Sequence, residues 1–369
     1  MRIPLRLSPQ SRARKLIAAI AIAAFASVLA LGARHAPYAS IPLAKLDDLL
    51  YDSLYRLRPT EDRTGGPVVI VAVDDKSLKE LRENGVGKTS YGWPWPRQFW
   101  GYMTQYFGKC GAKAVAFDML FSEPSVFNRS DADDAKLAKL VDASNTPVVF
   151  GALIGVDGKP TGFAVPVKHP VFGAVNVGDD VMFRRYQPVV NGVPSLAARV
   201  VALVGGTPST EPFLLHYYGP HQTRDGKRTF HYVSAANVLA ASVGQKSTGV
   251  TPDMFRHKIV LIGAITAGTY DLKSSPLSAE YPGVEVQATA LENLLSGQRV
   301  RVVSSPWTSA AAFLAALAAA AGVAFPRRVL LKLTDAAIAT VALFAIAIAL
   351  FVATGFTGCR WRRRWSAFS

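Results

Sequence analysis

Cysteine is scarce in this chain. Two occur in 369 residues, Cys110 in a helical stretch and Cys359 near the C-terminus. No disulfide framework can be built from them, so the fold must rest on a buried core. Cys110 reads as a small buried apolar residue. Histidine is scarce as well: the six are dispersed and none has metal-ligand spacing, so no metal site and no cofactor is expected. There is no G-x-S-x-G elbow, which removes one hydrolase class. A glycine-containing loop at 263–268 (GAITAG) follows a strand-like run but lacks a Lys-Ser/Thr pair and the dinucleotide pattern. It is a weak indication of phosphate binding. With no catalytic triad or metal hydrolase pattern, an enzyme on an α/β scaffold is the least favoured class.

Acidic charge is nearly missing from both ends, where Asp335 is the one acid outside 35–305. The formal net charge is +15, yet residues 35–305 hold 28 Lys/Arg and 25 Asp/Glu. The remaining excess flanks apolar segments, a pattern of membrane topology and not of nucleic-acid binding. Residues 1–15 carry Arg2, Arg6, Arg12, Arg14 and Lys15, and residues 16–33 carry no charge. Eighteen helical residues at about 1.5 Å each reach about 27 Å, enough to cross a bilayer. The basic flank places residues 1–15 in the cytoplasm. A cleaved signal peptide is the alternative, and either reading exports the region beginning at residue 35. Two more apolar segments, 307–325 and 329–356, are separated by Pro326-Arg327-Arg328, as in a cytoplasmic hairpin. Three spans put the tail, 357–369, outside, whereas its four arginines prefer the cytoplasm, and its side stays open.

The exported region, 35–305, reads as α/β. An amphipathic helix carries Leu43, Leu46, Leu50, Leu54 and Leu57 and ends before Pro59; it is either a signalling connector or a packed first helix. The run 68–73 is a buried strand ending in Asp74-Asp75, followed by a short helix over 77–83. From Arg97, Phe99, Trp100, Met103, Tyr106 and Phe107 recur at helical spacing, with Gly111 just past the end. Residues 114–121 are a nearly continuous apolar run broken by Asp118, which is a strand covered on both faces. Ser130-Asp131 can cap a helix over 132–141, and 147–153 is a third strand. The order β-α-α-β-α-β predicts a largely parallel sheet with helices on both faces. Residues 157–187 read as a peripheral hairpin region containing short β-like runs at 172–177 and 181–186. A helix over 194–204, a strand over 213–217, a helix over 233–243, a strand over 258–263 and a helix over 284–295 stopped by Gly297 complete the region.

Several segments together carry a family resemblance: YDSLYRLRP (51–59), the 68–75 strand, GWPWPR (92–97), GAKAVAFDMLFSEP (111–124), KIVLIG (258–263), 271–276 and PGVEVQATALENLLSG (282–297). In this order, between apolar flanks, they resemble the CHASE-2 domain, an extracytoplasmic sensor of bacterial nucleotide cyclases, diguanylate cyclases and protein kinases. The resemblance implies a membrane-anchored sensor of an unknown small extracytoplasmic ligand. The lipid bilayer, a homodimer or a signalling enzyme are its implied partners. Two departures stand out. Gln287 occupies a position where the family is expected to carry histidine. The family also normally has a third span after the domain and then a cytoplasmic effector, where this sequence shows two apolar segments after the domain, so the chain reads either as a sensor without its own effector or as the sensor part of a cyclase or kinase.

Candidate ligand-binding residues are assigned by position. Asp74, Asp75 and Asp118 stand at or near the ends of buried strands, and Asp271 comes after another. Carboxylates at that end of a parallel sheet converge on the crevice where such folds bind ligands, and suit a cation, an amine or a sugar hydroxyl. The alternative is capping of helix N-termini or pairing with Arg97. Trp93, Trp95 and Arg97 form either an aromatic lid with a cationic reader or a rigid core staple.

Overall fold

A computed structural model describes residues 37–302, apart from 87–88, 129–131, 179–181, 246–247 and 267–270, with a few isolated positions beyond. The chain divides into two compact units, residues 59–299 and the two flanking segments 1–58 and 300–369. In the flanking unit the described helix α1 is Pro37–Leu57, where the leucine spacing predicts one. Among the described residues no helix is long and apolar enough to cross a membrane. The three apolar segments, 16–33, 307–325 and 329–356, lie almost entirely outside those residues.

The unit 59–299 is built on one sheet. Its elements in chain order are β1 Val68–Val73, α2 Asp75–Glu83, α3 Arg97–Lys109, β2 Ala114–Leu120, α4 Asp133–Asp142, β3 Val148–Ala152 and β4 Phe172–Ala174. The next pieces are short: β5 Arg185–Tyr186, β6 Val189–Val190, β7 Val193–Pro194, α5 Leu196–Leu203 and β8 Phe213–Leu214. Then come β9 His231–Ser234, α6 Ala235–Ser242, a 3-10 turn Pro252–Met254, β10 Ile259–Ala264, β11 Leu272–Lys273, β12 Tyr281–Pro282 and α7 Gly283–Ser296.

Six strands pair in the order β4-β3-β2-β10-β1-β9. Every pairing in that sheet is parallel. The central strands β1 (VVIVAV) and β10 (IVLIGA) are buried at every position, which is why their sequences run apolar without alternation. One face packs α2, α3, α4 and α6; the other packs α5 and α7. Helices on both faces satisfy the layer rule for a parallel sheet. The first face holds the aromatic core, with Trp95 stacked on Trp100 at 5.4 Å between ring centroids and Phe117 on Phe150 at 5.5 Å.

Two strands differ from the sequence reading. Residues 172–174 are not part of a peripheral hairpin but the parallel edge strand β4 beside β3. Residues 231–234 (HYVS) form the opposite edge strand, β9, where the pattern gives only the start of a helix. Both lie at the edges of the six-stranded sheet, so neither needs the long apolar run that marks a central strand. The segment 213–217 contributes only the two residues of β8, antiparallel to β5. The expected cap Ser130-Asp131 lies outside the described residues, and the N-cap position of α4 is Ala132, with no side-chain cap bond.

Candidate functional site

β2 does not end as a regular strand. Its register with β3 runs Phe117↔Phe150 and then jumps to Leu120↔Gly151, leaving Asp118 and Met119 unpaired on that side. A bulge of this kind re-aims side chains at a sheet end. It also requires the glycine opposite: a Cβ on Gly151 would stand 2.6 Å from the Phe117 carbonyl oxygen. The distorted end opens into a cavity of about 560 Å³, within the usual range for small-molecule sites. Asp118, Met119 and Leu120 from β2 line it, with Ala264 at the end of β10, Asp271, Lys273 and the first turn of α7. The cavity therefore sits beyond the carboxyl ends of parallel strands, the usual crevice of open α/β sheets.

Asp271 is held against the start of α7. Its carbonyl oxygen accepts from the Gly283 N–H at 2.9 Å. A Cβ on Gly283 would meet the Asp271 carboxylate at 2.5 Å, so only glycine lets the two approach. Lys273 Nζ lies 3.2 Å from Asp271 Oδ1 and forms an ion pair with it. Asp118 accepts no hydrogen bond from any described residue. Burial pushes its pKa up to about 8; the Asp271 charge adds to the rise and Lys273 opposes it. Burial also raises Asp271, against the pull of Lys273. Near neutral pH the ligand-free Asp118 holds a proton.

The aromatic loop supplies the opposite wall. Trp93, Trp95 and Arg97 line the same cavity. Trp95 is buried and its indole N–H has no acceptor among the described residues. Trp93 is 41% exposed and meets Trp95 edge-on at 5.7 Å. Arg97 is committed elsewhere: Nη1 donates to Asp134 Oδ1 at 2.7 Å and Nη2 to the Glu123 carbonyl. It is not the partner of Asp118.

Asp74 and Asp75 stand apart from this cavity. Asp74 caps α2, accepting from Ser77 N–H at 2.8 Å, Ser77 Oγ at 2.5 Å and Ser234 Oγ at 2.9 Å. Asp75 is exposed in the first turn of α2, where a negative charge suits the helix dipole. The structure thus brings Asp118, Asp271, Trp93, Trp95 and Arg97 together and keeps the other two aspartates at a helix start.

Other buried acids escape a reading by sequence. Asp133 takes the first two N–H groups of α3, from Arg97 at 2.6 Å and Gln98 at 2.8 Å, and the Ser125 hydroxyl at 2.6 Å. Because Pro96 at the N-cap offers no side-chain oxygen, a neighbouring helix provides the cap. Buried Glu285 accepts from Tyr232 Oη at 2.6 Å, Tyr281 Oη at 3.0 Å and His221 Nδ1 at 2.6 Å. Arg228 Nη1 lies 3.0 Å from His221 Nε2. Arginine can only donate, so Nε2 accepts and Nδ1 carries the hydrogen. Gln287 accepts from Tyr186 Oη at 2.6 Å. These partners lie 53, 64 and 101 residues apart in sequence, and nothing local announces them.

The fold and its landmarks find a counterpart among known families. The CHASE2 domain matches residues 21–324. The chain belongs to the CHASE2 domain family. Comparisons with curated proteins and with solved structures return no match. CHASE2 domains are sensory domains of extracellular type. In this CHASE2 domain the segments that carry the resemblance include the Trp-Pro-Trp-Pro loop, β2 with Asp118, and the start of α7. All three meet at the cavity.

Proposed function

We propose that this protein is a membrane-anchored extracytoplasmic sensor whose signal ligand binds in the cavity between the Trp93–Trp95 loop, the end of β2 and the start of α7. The observation that carries this reading is Asp118, a carboxyl group on the cavity wall with no hydrogen-bond donor among the described residues. A carboxyl group that the described residues leave without a donor on a cavity wall is free to take one from a ligand. Membership of a sensory family supports the role. The apolar segments 16–33, 307–325 and 329–356, with basic residues before the first and between the last two, support anchoring in a bacterial cytoplasmic membrane with residues 35–305 outside. The domain binds its ligand and does not convert it. The bound state is passed on by a change in packing of the domain or its homodimer, to a signalling enzyme in the same assembly.

Two measurements test this. Alkaline phosphatase inserted at Gly158, beside the exposed Val156, is active if the domain is exported; an active cytoplasmic reporter there overturns the localisation. Thermal melts of the full chain in detergent, across a panel of amines, sugars, organic acids and metal ions, should find a stabilising ligand. Leu153 lines the cavity and is 43% exposed, so Leu153→Trp should fold and abolish the stabilisation by filling the mouth. Stabilisation that survives this substitution places the ligand elsewhere. Conversion of ATP or GTP by the purified chain overturns the non-catalytic part.

A further inference from the structure

The cavity is chemically two-sided. One wall carries Asp118, Asp271 and Lys273; the mouth carries Trp93, Leu120 and Leu153. These three apolar side chains are 41%, 47% and 43% exposed, and all three line the cavity. Scattered exposed apolar residues need no explanation, but a group of them rimming a cavity marks a contact surface. The ligand therefore has an apolar part.

Its polar part is set by charge. Asp271 and Lys273 pair, which cancels one carboxylate with the one lysine. Arg97 is neutralised by Asp134. Tyr186, whose hydroxyl feels the Asp118 charge, stays neutral because burial raises it. For the ionised form of Asp118 no counter-charge remains among the described residues, and with Lys273 and Arg97 both paired an anionic ligand finds no free cation on this wall among them. A bare divalent ion would leave the apolar side chains Trp93, Leu120 and Leu153 without a partner. A cation on an apolar body satisfies both walls, and the exposed Trp93 ring offers a π-face to it.

We infer that the cavity takes a small organic ammonium ion, its charged head on Asp118 and Asp271 and its apolar body between Trp93, Leu120 and Leu153. This rests on the reading of the cavity as the ligand site. Binding then exchanges a cation for a proton: the ammonium enters and the carboxyl proton of Asp118 leaves to solvent. Below the point where Asp118 ionises in the empty protein, affinity must rise with pH, up to about tenfold per unit, and level off above about pH 8.

The experiment uses the full chain in detergent and isothermal titration calorimetry. The probes are 2-phenylethylammonium and tryptammonium, their alcohol and carboxylate counterparts, and calcium chloride. The ammonium probes should bind about tenfold or more tighter than the alcohols, with the carboxylates and calcium silent. Titrations in two buffers of different protonation enthalpy at pH 7 should report net proton release on ammonium binding, because the raised Asp118 carboxyl gives up its proton to the cation. Asp118→Asn should remove the proton release and the pH dependence, and Leu153→Trp should abolish binding. Should Asp118→Asn fail to fold, the proton count and pH profile of the wild type decide alone. Alcohols or carboxylates that bind as tightly, or ammonium binding with no proton release, overturn the ligand class. The cavity reading survives that result if Leu153→Trp blocks the binding. If no probe of any series binds at millimolar concentration in a way that Leu153→Trp blocks, the ligand class and the cavity reading fall together.

Discussion

Two pairs of aspartates lie close to the aromatic loop, and their surroundings differ. Asp133 and Asp134 are buried and fully bonded: two backbone N–H groups and a hydroxyl on the first, Arg97, Asn128 and the Ser125 N–H on the second. Asp118 and Asp271 have one lysine between them, and Asp118 accepts no bond from a described residue. The first pair holds two helices and a loop together. The second pair raises the free energy of the ionised protein, because burial and mutual repulsion disfavour charge there. A fold gains from acids of the first kind. Acids of the second kind persist where something outside the chain completes them.

Among the aspartates, Asp133→Ala should have the largest effect. It leaves the first two N–H groups of α3 and the Ser125 hydroxyl without their acceptor in a buried site. The expected loss is roughly 3 kcal/mol or more of unfolding free energy, read by chemical denaturation of the full chain. A loss below about 1 kcal/mol would break the contrast, since Asp133 would then be no more structural than Asp118.

The second prediction concerns pH. The folded protein holds the Asp118 proton up to about 8, far above the ordinary 3.8. Between those values the folded state binds a proton that the unfolded chain has lost, so this group's contribution is full below the unfolded value and is lost as pH rises toward 8. Stability should fall by on the order of 1 kcal/mol per pH unit between about 5 and 8. Asp118→Asn should flatten that slope and match or exceed the wild type at pH 8. The comparison is the difference between wild type and Asp118→Asn melts across pH. A parallel pair of curves refutes an uncharged Asp118.

The contrast also explains what the sequence makes legible. The strands β1, β2, β3 and β10 are apolar runs because both faces are covered, and each is readable as such. Asp118 is readable for the same reason, as a charge that interrupts a buried strand. Asp74 carries a similar signal with a different meaning, and Ser77 three residues on is the local hint that it caps. Asp133 is the harder case. Two aspartates before an apolar-periodic segment read as the start of their own helix, whereas Asp133 caps α3, whose first residue lies 36 positions earlier. The Glu285, His221, Tyr232 and Tyr281 cluster is invisible for that same reason, since its partners are set by tertiary approach. Edge strands β4 (FGA) and β9 (HYVS) are only three and four residues long, too short for a period to show.

Gly283→Ala probes the seam between the two kinds of site with a smaller effect. Its Cβ would meet the Asp271 carboxylate at 2.5 Å, and the carboxylate must move. A cost of about 1–2 kcal/mol is expected, by analogy with overpacking in a close-packed site. Movement of Asp271 also separates it from Lys273, so ammonium affinity should change together with stability. A variant that loses stability but binds the ammonium probe as before would remove Asp271 from the ligand site and leave Asp118 alone.

The smallest effect on stability is expected at Trp93, where the contrast is sharpest. The ring is 41% exposed and touches Trp95 and Trp100 only edge-on, at 5.7 and 6.3 Å. Deleting it in Trp93→Ala forfeits part of two aromatic contacts that each contribute about 0.5–1.5 kcal/mol when fully formed. Solvent already covers much of the ring, so unfolding free energy should drop by no more than about 1 kcal/mol. Ligand binding should suffer more, because the same ring supplies apolar area and a π-face at the cavity mouth. A fall of about five- to tenfold in ammonium affinity is expected for Trp93→Ala, with Trp93→Phe keeping most of it. Buried Trp95 gives the reverse: Trp95→Ala should cost about 3–5 kcal/mol, in the range for large core aromatics. If Trp93→Ala destabilises as much as Trp95→Ala and leaves the affinity of the folded fraction unchanged, the loop is a core staple along its whole length. Trp93 then belongs with Asp133, on the structural side of the comparison.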